Sequence, residues 1–144
     1  MGKSTPSGPV YGAKSLLWAV HRDNCVVTSS LTQTVASIRV PAYEDWFVTE
    51  FKAYRGSTGS TSFVLALTDD STQVADVAIT SSGAGEMGST TPAPTPGEYE
   101  GVRVAANSTL AITLANGGST AVGSSDVTGW VYGYIRYIDS TRAV

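Results

Sequence analysis

Apolar and polar positions alternate with a period of two along most of this chain, the spacing of side chains on the two faces of a β-strand. The fullest case is residues 129–138, Gly-Trp-Val-Tyr-Gly-Tyr-Ile-Arg-Tyr-Ile, where aromatic and β-branched residues fill nearly every position. One alternate set is Trp130, Tyr132, Tyr134, Arg136 and Ile138; the other is Val131, Gly133, Ile135 and Tyr137. Neither set is polar enough for open water. The strand is expected to carry core on one side and a neighbour, such as another subunit, on the other.

The same alternation marks the other elements. Residues 16–21 and 25–30 read as strands flanking a turn at Arg22-Asp23-Asn24. Residues 34–40 place Ala36, Ile38 and Val40 inward, and Pro41 ends that strand. Residues 46–54 set Phe47, Thr49, Phe51 and Ala53 on one face and Val48, Glu50, Lys52 and Tyr54 on the other. A polar loop, 55–61, leads to 62–68 with Phe63, Leu65 and Leu67 inward. Asp69-Asp70-Ser71 turns the chain into 72–80, with Ala75, Val77 and Ile79 on one face. Residues 98–105 and 109–115 read as a further hairpin around Ala106-Asn107-Ser108, with Leu110, Ile112 and Leu114 facing the core and Asn116-Gly117-Gly118 closing it. No amphipathic helix of three turns can be drawn. About nine strands of ordinary length imply an all-β fold, a single antiparallel β-sandwich or jelly roll spanning 15–144.

Two segments fall outside this pattern. Residues 1–14, MGKSTPSGPVYGAK, read as an extended N-terminal arm, because Pro6 and Pro9 lack amide donors and three glycines raise the cost of order. Fixing such a backbone costs about 1–2 kcal/mol per residue, so contacts from outside the arm must hold it. It is expected to lie on another protein chain; the other arrangement folds it back as an extra edge segment of its own sandwich. Residues 81–97, SSGAGEMGSTTPAPTPG, exceed the roughly 12–15 residues at which structureless loops become uncommon. Pro92, Pro94 and Pro96 favour extended geometry, so this reads as an interaction loop, with Met87 among its contact candidates, or as a surface insertion.

Composition fits a sandwich whose exposed positions are Ser and Thr. The 144 residues are 42% hydrophobic and 15% charged, against about 25% charged for ordinary domains. One core is expected, large enough to need no metal or disulfide staple. The formal charge is −3 and the nine Lys and Arg are scattered, which argues against nucleic acid as a partner. No apolar run approaches the roughly 18 residues of a membrane span. The N-terminal segment has no apolar stretch of the signal-peptide kind, so a cytoplasmic site of synthesis and assembly is expected. Cys25 is the single cysteine and reads as a small buried hydrophobe.

Candidate chemistry is sparse. His21 is the only histidine, and no Gly-x-Ser-x-Gly elbow, phosphate-binding loop or zinc spacing is present. His21 and Cys25 lie close enough in sequence to meet, but nothing supplies an orienting group or lowers the thiol pKa. The pairs Glu44/Asp45, Asp69/Asp70 and Glu98/Glu100 sit at predicted turns or strand starts and read as solvated residues rather than as glycosidase acids or a Ca²⁺ site. Asn107-Ser108-Thr109 matches a glycosylation acceptor and reads as a β-turn. No enzyme activity, cofactor or metal is expected.

The order of these features, from the polar arm through the strand ending in a Gly/Ser loop, the 63–80 hairpin and the Gly/Pro insertion to the aromatic last strand, resembles head decoration (cement) proteins of tailed bacteriophages. The resemblance covers roughly residues 34–138 and rests on spacing and composition; no diagnostic motif accompanies it. It implies a virion protein on the capsid surface that bridges major capsid protein subunits and stabilises the shell. Its partners would be the major capsid protein and further copies of itself, as a dimer or trimer. Pro6, Pro9, Val10 and Tyr11 are the candidate capsid contacts. Trp130, Tyr132, Tyr134 and Tyr137 are candidates for self-association or core packing. A phage tail or head-fibre sandwich fits the same order. So does a carbohydrate-binding jelly roll with Trp18, Trp46 or Trp130 stacking on sugars.

Overall fold

The computed structural model describes residues 10–27, 32–56, 62–79, 85, 87–97, 101–116 and 123–138. Over these the chain forms two antiparallel sheets, the all-β sandwich that the alternation predicts. The aromatic strand β10 (Gly123–Tyr137) is the axis of the larger sheet. Along one side it pairs with β4 (Glu44–Arg55), from Val127 to Tyr137. Along the other it takes β2 (Ser15–Val27) and β1 (Val10–Tyr11) end to end. The far side of β4 is shared by β7 (Met87–Thr90) and β8 (Val102–Val104). The smaller sheet is ordered β3 (Gln33–Arg39), β9 (Thr109–Asn116), β5 (Phe63–Asp69), β6 (Thr72–Ile79).

The inward sets of β5, β6 and β9 are those the sequence predicts: Phe63, Leu65, Leu67, Ala75, Val77, Ile79, Leu110, Ile112 and Leu114 are each at most 4% exposed. Burying a side chain of the Leu, Ile or Phe class is worth about 1.5–3 kcal/mol, so these nine anchor the small sheet. Phe51, Ala53, Val127 and Val131 meet them from the large sheet. In β10 it is the small set that faces inward. A Cβ on Gly129 would stand 3.1 Å from Ile112 Cδ1, so the sheets leave no room there for an aromatic ring. The β5–β6 turn is closed by Asp70 and Ser71 with φ of 45° and 74°, the two-residue geometry whose twist matches the strands it joins. Asp70 also ties the turn to β9: its amide donates to Thr109 O at 2.9 Å and its Oδ1 accepts from Thr109 N at 2.8 Å.

The two seams between the sheets are bridged by side chains reaching backbone carbonyls. On one, Arg22 Nη1 of β2 donates to Val35 O and Thr34 O of β3, at 3.3 and 3.4 Å, and Gln33 Nε2 donates to Val26 O. On the other, Thr90 Oγ1 of β7 donates to Asp76 O of β6 at 2.5 Å. Edge strands expose unpaired amides and carbonyls, and these bonds cover part of them.

Several expectations are corrected. Residues 16–21 and 25–27 are one strand: Arg22-Asp23-Asn24 forms a bulge, not a turn, with Asn24 at φ 54° and its amide held by Asp126 Oδ1 at 2.9 Å. The alternation in β4 breaks at Thr49, where the register with β10 shifts by one residue. Trp46 and Val48 therefore face the core before it, and Phe51, Ala53 and Arg55 after it, while Phe47 turns outward. Residues 102–104 and 109–116 are not a hairpin, because β8 joins the large sheet and β9 the small one. The turn between them, with Asn107 at φ 68°, carries the chain across the sandwich and bonds to Val40. Arg55 is not a loop residue: it ends β4 fully buried, with its guanidinium 4.8 Å from the Phe63 ring centroid. The rest of that loop, 57–61, lies outside the described residues, as do 28–31, 98–100 and 117–122.

Candidate interaction face

The register of the large sheet lays its outward side chains in rows. Leu16, Tyr132 and Glu50 make one row, and Ala19, Trp130, Lys52 and Ser89 the next. His21, Thr128, Tyr54 and Met87 make the third. The Tyr54 and Trp130 rings stand 6.2 Å apart at 56°, and Lys52 Nζ lies 5.3 Å from the Tyr132 ring centroid. Leu16 and Met87 at the margins are 49% and 58% exposed. The face is thus a half-buried aromatic strip with apolar margins, and one lysine and one glutamate at its middle.

The predicted site residues do not gather in one place. Trp130, Tyr132 and Tyr134 are on this outer face, so they are not core residues. Tyr137 belongs to the other alternate set and lies beyond the core, 48% exposed. Pro6 and Pro9 lie outside the described residues. The backbones of Val10 and Tyr11 pair with Tyr137 and Arg136 of β10, and Gly12 N donates to Ile135 O at 2.7 Å. Val10 to Gly12, read in the sequence as part of the arm, are therefore bonded to an edge of the chain's own large sheet.

The 81–97 segment is not one loop either. Met87 begins β7, whose Gly88 passes so near β6 that a Cβ would stand 2.5 Å from Val77 Cγ1. Pro92 is buried, while Pro94 and Pro96 are exposed. β7 pairs with β4 only as far as Phe51 and β8 begins opposite Val48, which leaves the Thr49 bulge between the two pairings. There Pro92 and Pro94, with Thr49, Glu50 and Gly101, line a pocket of about 330 Å³.

The carboxylates divide by environment. Asp45, expected to be solvated, is 2% exposed. It accepts from Arg136 Nη2 at 2.5 Å, Arg103 Nη2 at 3.2 Å and Ala106 N at 2.9 Å, joining β10, β8 and the crossing turn to β4. Burial pushes its pKa up, but the bonds from Arg136 and Ala106 and the two guanidinium charges outweigh burial and hold it below the ordinary carboxylate range. Arg136 also lies over Phe47, 4.8 Å from the ring centroid, which is how an outward phenylalanine comes to be fully buried. Asp69 differs: burial and then the neighbouring charge of Asp70 raise its pKa, with a partly offsetting bond to Ser108. Its Oδ1 is buried without a hydrogen-bond partner. No local signal in the sequence separates Asp45 from a surface turn residue. The cue it did offer was two arginines, 103 and 136, each set between apolar or aromatic neighbours.

His21 and Cys25 are not brought together. His21 is exposed on the outer face, its ring nitrogens 2.8 Å from Thr128 Oγ1 and 2.7 Å from Asp23 Oδ1. Cys25 is 3% exposed with its sulfur 3.6 Å from Arg22 O, and burial, aided by Asp126 and Asp23 against Arg22, pushes its thiol pKa up. Trp46 is core and Trp18 packs against it, leaving Trp130 alone of the three tryptophans on an outer face. Among the described residues no group of three or more His, Cys, Asp or Glu is placed to hold a metal ion.

No protein-family model matches the chain, and no curated protein matches it. Among solved structures it is similar to that of infectious bursal disease virus Gx strain, with 12% identity over 90% of this chain and 38% of that one and a TM-score of 0.38. It is also similar to the Gt strain structure, with 9% identity, coverage of 92% and 38%, and a TM-score of 0.34. The structure of T=1 particles derived from the same virus gives 15% identity, coverage of 99% and 43%, and a TM-score of 0.27. The chain spans about two-fifths of each of those chains. Likeness at this level transfers no role to it.

Proposed function

We propose that this chain is a virion structural protein that binds the outside of a phage capsid and bridges major capsid protein subunits. The observation that carries the reading is the corner where β1 joins the large sheet. Val10 pairs there with Tyr137, and Ile138 N donates to Tyr43 O at 2.9 Å, so two tyrosines, 48% and 57% exposed, stand at the end of β10 to which β1 is joined. Exposed tyrosines with few rotatable bonds suit contact with a second protein surface at low entropic cost. Tyr43 carries no pattern in the sequence that would single it out. The resemblance to decoration proteins supports the same reading, and many copies each making a modest contact would clamp a shell by multivalency.

The test is cosedimentation with expanded phage capsids that lack this chain. The full chain is expected to bind at saturating occupancy, and a chain without residues 1–9 or carrying Tyr43→Ser and Tyr137→Ser is expected to remain folded and lose binding. Full occupancy by these variants, or no binding by the full chain, overturns the reading. Binding to tails in place of capsids would favour the fibre alternative.

A further inference from the structure

We propose that the outer face of the large sheet is a two-fold interface with a second copy of this chain, centred between the Tyr132 and Trp130 rows. The rows are self-complementary. Glu50 and Lys52 are successive outward residues of β4, about 7 Å apart by strand geometry. Neither forms an ion pair among the described residues. A two-fold axis lying in the interface and crossing the strands at the level of Phe51 and Val131 reverses the order of the rows. It sets Glu50 against Lys52 of the second copy, and Lys52 against its Glu50. The same operation sets Tyr132 against the second copy's Trp130, so aromatic meets aromatic wherever charge meets opposite charge.

An isologous contact requires a patch complementary to itself, and charge complementarity selects a second copy over a partner of one sign. Of the apolar margins, Leu16 ends the Tyr132 row and would be covered by the contact, while Met87 ends the row beyond Trp130. This face and the corner at Tyr43 and Tyr137 share no residue, so the inference stands or falls apart from shell binding.

Sedimentation equilibrium of the full chain tests it. The wild type is expected to dimerise. Glu50→Lys and Lys52→Glu each set like charges face to face and are expected to weaken dimerisation at least tenfold. An equimolar mixture of the two variants pairs an all-basic face with an all-acidic one and is expected to restore it. A monomeric wild type, a single variant as dimeric as wild type, or a mixture that stays monomeric overturns the proposal; the first outcome would leave the face to a different chain. Should either variant fail to fold, carbodiimide coupling of wild-type chains in a mixed-isotope sample decides. A Glu50–Lys52 cross-link between differently labelled copies supports the interface, and its absence overturns it.

Discussion

Asp45 on β4 and Arg136 on β10 sit opposite each other in the register and close to 2.5 Å, with the carboxylate all but removed from solvent. The pair does not stand alone, since Arg103 and the Ala106 amide share the same carboxylate. One side chain thus holds three segments to β4. Asp45→Ala removes the carboxylate that two guanidinium groups and a backbone amide share. It is expected to cost about 3 kcal/mol, read as a lower urea midpoint at unchanged slope. Because the folded carboxyl titrates below the ordinary value of about 3.9, its stabilisation is fully present above that pH and is lost as pH falls through the lower folded pKa. Asp45→Asn should therefore flatten the acid limb of the stability profile below about pH 4.

Asp69 carries the opposite sign. Its pKa is raised in the fold, so the folded state holds the proton more tightly than the unfolded chain, and the stability this contributes is lost as pH rises through the folded pKa. At neutral pH the ionised group is a liability. Asp69→Asn is expected to raise the melting temperature at pH 7 and to give a smaller gain at pH 3, where the native carboxyl is already protonated. An equal gain at both pH values would show that charge is not the cause.

Gly133 is required by backbone proximity. A Cβ there would stand 1.9 Å from Phe47 O, a contact that no rotamer change relieves. Gly133→Ala is expected to cost about 3 kcal/mol, the upper end for overpacking a close site. Gly12→Ala is the control. Its Cβ would find nothing nearer than 3.7 Å, so its effect should stay within about 0.5 kcal/mol. Thermal melts of the two variants side by side measure the difference.

The sequence by itself determined what depends on a period of two. It showed the all-β class, the hairpin at Asp70-Ser71, and the inward sets of β5, β6 and β9, because a side chain's face follows from its position within a strand. Tertiary structure decided the rest. Alternation within β4 could not reveal that the register slips at Thr49, and a slip of one residue exchanges the two faces, sending Val48 inward and Phe47 outward. Nor could the 102–116 stretch show that its two strands belong to different sheets, since pairing partners lie far apart in the chain. The candidate face was half legible. Trp130, Tyr132 and Tyr134 marked β10 in the sequence, but the rows that join this strand to Leu16, Glu50, Lys52 and Met87 exist only once four strands are laid side by side. Asp45 became a buried anchor in the same way, when Arg103 and Arg136 arrived from elements 58 and 91 residues away.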